Sequence, residues 1–325
     1  MDIVRSLAEP LLEEYTQGVV AVGNFDGVHL GHQALLSQCY RRAVDMSSPA
    51  IVLTFEPHPR EILPRPNFPT GEAAEHFRLT NFEQKCTEFE RLNVDLVVAL
   101  PFDQAFAALT PDAFCQTVFA QALNPELVVV GRDFCFGAKR AGTTQVLQEM
   151  GKKYGFEVET IEKRTASQSP DAKPFSSTEI RRLIAAGEVA AARDCLGRAW
   201  AIQGGVAKGD QRGRTIGFPT ANIFPMGIMQ PKFGVYAVRV KIQGDQQIYH
   251  GVANYGVRPT VNGAEPRLEA HIFAFDQDIY GQLIEIEMIA FIRAEKRFSG
   301  LPELVEQIRL DAGRATEILK EYDCG

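Results

Sequence analysis

The sequence has little cysteine, and none of it is spaced for a metal or redox pair. Cys39, Cys86, Cys115, Cys135, Cys195 and Cys324 are scattered and form no CxxC pair. That argues against a disulfide framework and a zinc site, and reads as reduced thiols of a cytoplasmic protein. Long apolar runs are missing as well. No uninterrupted stretch approaches the roughly 20 residues that cross a bilayer. The opening MDIVRSLAEPLLEEY is acidic and lacks the apolar centre of a secretory signal, so none is expected. Positive charge is not in excess. The net charge is -7, so a sequence-independent grip on nucleic acid is not expected, and an anionic ligand has to be held by a local group of donors. The chain has no internal repeat, no low-complexity tract, and no GxxxxGK followed by Ser or Thr, the Walker A loop.

What is present is enough apolar material for sizeable cores. The chain has 325 residues, 45% of them hydrophobic and 23% charged, which suggests two globular domains. In the first half, short apolar strands alternate with helices: Val19–Val22, AIVLTF, DLVVAL, ELVVVG and FEVETI. This order predicts an α/β domain with a parallel sheet covered on both faces, Rossmann-like, which binds ligands at the carboxyl ends of its strands. Thr80 and Glu83 have capping-box spacing before NFEQKCTEFERL, and Thr110 with Pro111 opens another helix. After SSTEIRRLIAAGEVAAARDCLG, closely spaced strands take over: GVYAVRVKI, YHGVANYGV, LEAHIFAF and LIEIEMIAFI. They predict a small antiparallel β-barrel, closed by a helix over about 302–322 whose Leu301, Leu304, Val305 and Ile308 form a packing face. The domain boundary falls between Leu183 and Trp200, drawn at 186/187 to give domains 1–186 and 187–325.

The stretch VGNFDGVHLGHQALL, Val22 to Leu36, carries chemistry. A strand runs into a turn holding Gly23, Asp26, Gly27 and Gly31. His29 and His32 follow at a helix start. Glycines let backbone approach a ligand, and the free N–H groups of a helix start favour an anion. Two imidazoles there can donate to phosphate oxygens and stabilise charge developing at phosphorus. A glycine-rich turn with two surface histidines is the plainer alternative. Ser176 or Ser177 is suited to cap a second helix start, with Arg181 one turn in; a simple cap with a solvated arginine is the alternative there.

GxFDGxHxGH resembles the signature of the HxGH-type nucleotidyltransferases. The whole chain resembles the bacterial bifunctional riboflavin kinase/FMN adenylyltransferase family, also called FAD synthetase. Further matching segments are TFEPHP (Thr54–Pro59), VVVGRDFCFG (Val128–Gly137) and SSTEIRRLI (Ser176–Ile184). The resemblance implies that His29 and His32 contact ATP phosphates, that Gly23, Phe25 and Gly31 lie by the nucleotide, and that Ser176, Ser177, Thr178 and Arg181 reach the phosphates. It places Phe55, Pro57, Pro59 and Asp133 by the flavin. From the residues alone, the loop around His58 is equally a plain proline turn, and Phe134 and Phe136 equally core residues.

KGDQRGRTIGFPTANI, Lys208 to Ile223, has Gly209, Gly213 and Gly217 with Arg212 and Arg214, which suits a loop over polyphosphate or an ordinary Gly/Arg-rich turn. PTAN, Pro219 to Asn222, resembles the riboflavin kinase motif in which the Thr220 hydroxyl and the Asn222 side chain ligate Mg²⁺. Phe218 and Arg297 fall by the flavin in the same resemblance. In RLEAHIFAF, strand alternation puts Glu269 and His271 on one face and Leu268 and Ala270 on the other. The family's catalytic glutamate falls on Glu269, whose alternative is a solvent-facing strand residue. The implied activities are phosphorylation of riboflavin by ATP to FMN, then adenylylation of FMN by a second ATP to FAD and pyrophosphate. The implied partners are riboflavin, FMN and ATP with Mg²⁺, without nucleic acid or membrane.

Overall fold

The computed structural model describes residues 1–7, 12–63, 76–162, 164–165, 174–208, 216–224, 227–260 and 263–324. Contacts divide the chain into two compact units: Met1–Glu75 with Thr80–Ser177, and His76–Leu79 with Thr178–Gly325.

The first unit is built on six strands: β1 (Asp2–Val4), β2 (Val19–Val22), β3 (Ala50–Phe55), β4 (Leu96–Leu100), β5 (Leu127–Gly131) and β6 (Glu157–Ile161). All neighbours pair in parallel, in the order β1-β4-β3-β2-β5-β6. The strands read as continuous apolar runs because both faces are covered. In β2, Val19 and Ala21 pack with Leu35, Leu36 and Cys39, while Val20 and Val22 pack with Phe114 and Phe119. The first group comes from α1 (Leu30–Met46). The order reverses beside β2, which has β3 on one side and β5 on the other, so the switch point lies where the glycine–histidine stretch begins. Strand β1 is an addition to the sequence reading. Its three residues are too short to show a pattern, and it is defined by pairing with β4.

Two details of the helices bear on the site. After α2 (Pro59–Ile62) comes α3 (Phe82–Arg91), whose cap is Asn81 rather than Thr80. The Gln84 amide donates to Asn81 Oδ1 at 2.7 Å and the Asn81 amide to Gln84 Oε1 at 3.1 Å. Thr80 is used elsewhere, as described below. Thr110 does cap its helix: following α4 (Gln104–Ala107), the segment α5 (Pro111–Phe114) continues as a π-helix over Cys115–Leu123. Then α6 (Thr144–Tyr154) leads to β6. All six cysteines are free thiols. Burial pushes the Cys39 and Cys115 thiols up to about 12, so they serve as packing groups.

The second unit starts earlier than the sequence boundary, one helix upstream of 186/187. Helix α7 (Ser177–Ala186) buries Ile180, Leu183 and Ile184 in the same core as Trp200 and Tyr236. Residues 76–79 belong to this core too: Leu79 is fully buried, and its carbonyl accepts from Trp200 Nε1 at 2.8 Å. After α8 (Val189–Leu196), the strands β7 (Trp200–Gly205), β8 (Ala221–Ile223), β9 (Gly234–Ile242), β10 (Ile248–Thr260), β11 (Gly263–Ile272) and β12 (Leu283–Arg293) form one antiparallel sheet. Its order is β7-β12-β9-β10-β11-β8, and it curls so that the Ala207 amide, just past β7, donates to the Asn222 carbonyl on β8 at 2.9 Å.

The last helix, α9 (Leu301–Cys324), covers the other face of this sheet through Ala315 and Leu319 against Val235, Ala237, Val252 and Ile289. The packing face expected at its start is only partly buried. Leu301 is 57% exposed, and Leu304, Val305 and Ile308 are only half-buried. A charge, Asp311, is buried instead, because Arg293 at the end of β12 meets it in a fork: Nε at 2.9 and 3.1 Å, Nη2 at 2.6 Å. Gln307 adds a donor at 3.0 Å. Removing one partner of such a pair leaves the other desolvated and unmatched. Asp311→Ala is therefore expected to destabilise the second unit by about 3–5 kcal/mol, read as a lowered urea midpoint, with Asp311→Asn losing less.

Candidate functional site

In the first unit the chain leaves β2 at Gly23 and turns through Phe25 and Val28, both at positive φ, and Gly27. The Phe25 ring folds back on Gly23, where a Cβ would lie 3.0 Å from it. Phe25 is thus a core residue, 1% exposed, edge-on to Phe89 and to His32. Asp26 is buried, and its Oδ1 accepts from the Thr80 amide at 3.4 Å. Its carbonyl accepts from the Ser177 hydroxyl at 2.9 Å, and the Gly27 amide donates to Thr80 Oγ1 at 3.1 Å. Three hydrogen bonds, with Thr80 and Ser177, hold the turn before any ligand is considered.

His29 is the N-cap of α1. Its Nδ1 accepts from the His32 amide at 3.3 Å. A neutral imidazole that accepts at Nδ1 carries its proton at Nε2, so the cap fixes the tautomer. The two rings stack, with centroids 3.6 Å apart and planes 17° off parallel. Gly31 makes room for this: a Cβ there would meet the His29 ring at 3.1 Å. Ser177 is the first residue of α7, which puts Ser176 at its cap position and Thr178 next in the helix. Arg181 falls in the second unit, where its Nε donates to the Phe77 carbonyl at 2.7 Å and its guanidinium lies 5.4 Å from the Phe77 ring centroid.

Residues expected at the nucleotide and the flavin also collect at strand ends. Phe55 ends β3, Gly23 follows β2 and Asp133 follows β5, three neighbouring strands. Phe55 is largely buried against Phe102 and Phe106. Pro57 and Pro59 are half-buried, and Asp133 is exposed. His58, buried between the prolines, caps α2 by accepting from the Arg60 amide at 3.1 Å, so its turn is a helix start.

In the second unit the register of β8 against β11 places Asn222 directly opposite Glu269. Two residues read from separate motifs therefore share one rung and one face. Asn222 is buried, and its Nδ2 donates to the Thr220 carbonyl at 3.3 Å. Leu268 and Ala270 are fully buried on the opposite face, as the alternation requires. His271 Nδ1 lies 2.8 Å from the Pro219 carbonyl, and its ring is edge-on to Phe218. A cavity of about 220 Å³ opens beside Thr220, walled by Val206, Phe275, Ile279 and Tyr280. Gly217 sits in an open turn at φ +83°. Arg297 is exposed, in the loop before α9, where Ser299 and Lys296 are tied to Glu303. Gly209, Gly213 and Arg214 lie outside the described residues. Two residues in contact with these groups were not singled out by sequence: Thr80, hidden by its resemblance to a cap, and Arg267, which the same alternation places on the face of Glu269.

Known proteins match both units. Residues 12–178 match the family model for FAD synthetase, and residues 196–319 match the one for riboflavin kinase. A bifunctional riboflavin kinase/FMN adenylyltransferase from Haemophilus influenzae is 40% identical over 97% of this chain and 98% of its own. The protein so named from Escherichia coli is 40% identical over 92% of each chain, and that from Bacillus subtilis 36% over 93% of each. In structure, the chain resembles a Streptococcus pneumoniae protein described as a macrolide-efflux protein, with a TM-score of 0.82 and 31% identity over 95% of this chain and 96% of the other. Among the described residues of this chain, no helix is long and apolar enough to cross a membrane.

His29 caps α1, and the resemblance gives it a phosphate contact as well, two roles that substitution would separate. Asn caps helices well and Ala does not, a difference of about 1 kcal/mol. His29→Asn is expected to keep the thermal stability of the first unit but lose FAD formation, while His29→Ala loses FAD formation and also lowers the melting temperature by about 2–4 °C; calorimetry beside a flavin assay checks this. Since the two halves match, in order and at nearly full length, proteins of a single kind, the chain belongs to the bifunctional riboflavin kinase/FMN adenylyltransferase family.

Proposed function

We infer that the two steps of flavin cofactor synthesis divide between the two units, with the kinase in the second and the adenylyltransferase in the first. The chain forms FMN and FAD, as its family membership and both matched models support. The observation that supports the division is that each unit has its own cluster of polar side chains suited to phosphate: the capped His29–His32 stack in one, the Asn222–Glu269 rung in the other.

In the first unit, FMN brings a charged phosphate that attacks the α-phosphorus of ATP. No covalent enzyme intermediate is required. The protein has to align the two and stabilise charge on the α-phosphate and the departing pyrophosphate. The amides at the start of α1 and the Nε2–H of His29 suit that task, and His32 stands against it in the stack. The turn held by Asp26, Thr80 and Ser177 keeps these donors in place without ligand, which lowers the reorganisation needed.

In the second unit, Glu269 orients the ribityl hydroxyl of riboflavin and accepts its proton as the γ-phosphoryl group of ATP is transferred. The Thr220 hydroxyl and Asn222 Oδ1 are hard oxygen donors, the kind Mg²⁺ takes beside water and nucleotide phosphates. Bound there, Mg²⁺ would neutralise triphosphate charge. The cavity beside Thr220, with apolar walls of Val206, Phe275 and Ile279 and polar groups at Asp276, Gln277 and Asp278, suits the adenine ring. Six free thiols suit a cytoplasmic setting.

Separate assays of the two halves test this. With FMN and ATP supplied, His32→Ala is expected to slow FAD formation about 10²–10³-fold, the loss of one preorganised donor, and to spare FMN formation from riboflavin. Glu269→Ala is expected to do the reverse. Chromatography of the flavins reads both. Equal loss of both activities in both variants would falsify the division.

A further inference from the structure

Arg267 lies two residues before Glu269 on β11, so the two side chains leave the same face. Its Nη1 is 3.5 Å from Asn222 Oδ1 and 3.5 Å from Glu269 Oε1. The guanidinium lies 4.9 Å from the Phe224 ring centroid, and the side chain is only 12% exposed. Its buried Nε has no hydrogen-bond partner among the described residues. A largely buried cation therefore stands between the residue assigned to the metal and the residue assigned to the hydroxyl, bound tightly to neither.

A structural clamp is the competing explanation, and this unit shows what its clamps look like. Arg293 grips Asp311 at 2.6–3.1 Å, and Arg239 grips Glu287 at 2.7 and 2.8 Å. Charge-assisted hydrogen bonds run at about 2.7–2.9 Å. Arg267 makes no contact that short with either oxygen. Hydrogen-bond strength falls steeply over that extra distance, whereas Coulomb attraction falls only as its inverse. Arg267 thus acts on its two neighbours chiefly by charge and by place, and stacking on Phe224 sets the place.

We propose that Arg267 is a positioning residue of the kinase reaction: it holds Asn222 and Glu269 side by side as a resident cation, and competes with Mg²⁺ for Asn222 Oδ1. The inference rests on the assignment of Asn222 and Glu269 above. It has a signature that a packing role lacks. Taking the charge away lets Mg²⁺ bind more easily while leaving Glu269 less well oriented, so metal affinity and turnover move in opposite directions.

The test uses full-length Arg267→Gln, Arg267→Lys and Glu269→Gln. Riboflavin fluorescence, followed as Mg²⁺ is added to protein, riboflavin and ADP, reads the metal midpoint without turnover. For Arg267→Gln the midpoint is expected to fall severalfold, kcat for FMN formation to fall about tenfold, KM for riboflavin to change little, and FAD formation from FMN to stay at the parent rate. Arg267→Lys, which keeps the charge, should return the midpoint toward the parent and restore part of kcat. An unchanged midpoint, an unchanged kcat, or joint loss of both activities in Arg267→Gln overturns the proposal. Glu269→Gln separates the two levels: if it still forms FMN at the parent rate, the site assignment fails; if it does not, while Arg267→Gln behaves as parent, only the role of Arg267 fails.

Discussion

The first site depends on one short hydrogen-bonded loop, the His32 amide donating to Nδ1 of His29. That contact ends the turn and starts α1. It also decides which ring nitrogen carries a proton. With Nδ1 committed to the backbone, Nε2 is the ring nitrogen that carries the proton in the neutral form, and stacking sets the second imidazole 3.6 Å away. A helix start usually offers an anion only its amides. Here the capping group is itself a potential donor at its far edge, so the local rule that forms the helix and the chemistry that follows share one side chain.

The second unit builds its candidate site on a sheet. Its precision comes from register. Because Asn222 and Glu269 are direct partners in an antiparallel ladder, a slip of one residue would send one of them into the core that holds Leu268 and Ala270. The fully buried neighbours therefore pin the polar face. The curl of the sheet and the bridge from Ala207 to Asn222 fix the same residue from its other edge.

Much of this was legible in the sequence, for physical reasons. Parallel strands covered on both faces are unbroken apolar runs, so β2 to β5 stood out, whereas β1 carries too few residues to show a pattern. The face of Glu269 followed from period-two alternation. The start of α1 near His29 followed from the turn before it, whereas the capping by His29 itself did not. What could not be read were choices between near-equal local options. Thr80-x-x-Glu83 and Asn81-x-x-Gln84 are both capping boxes, and the tie is broken by Gly27 and Asp26, over fifty residues away, which engage Thr80. The start of α9 shows an apolar stripe, yet its firmest anchor is the buried ion pair of Asp311 with Arg293, which no hydrophobic pattern announces.

The placement of residues 76–79 and of α7 affects how the chain can be cut. Leu79, Ile180, Leu183 and Ile184 all fill the core around Trp200, yet they precede the kinase strands in sequence, one of them by more than a hundred residues. A fragment starting at 187 would keep every strand of the curled sheet and still lack part of its hydrophobic floor, with the Trp200 indole N–H deprived of its acceptor. Two enzymes joined end to end should separate at a linker; these are interleaved, the earlier stretch of polypeptide supplying interior filling for the later one.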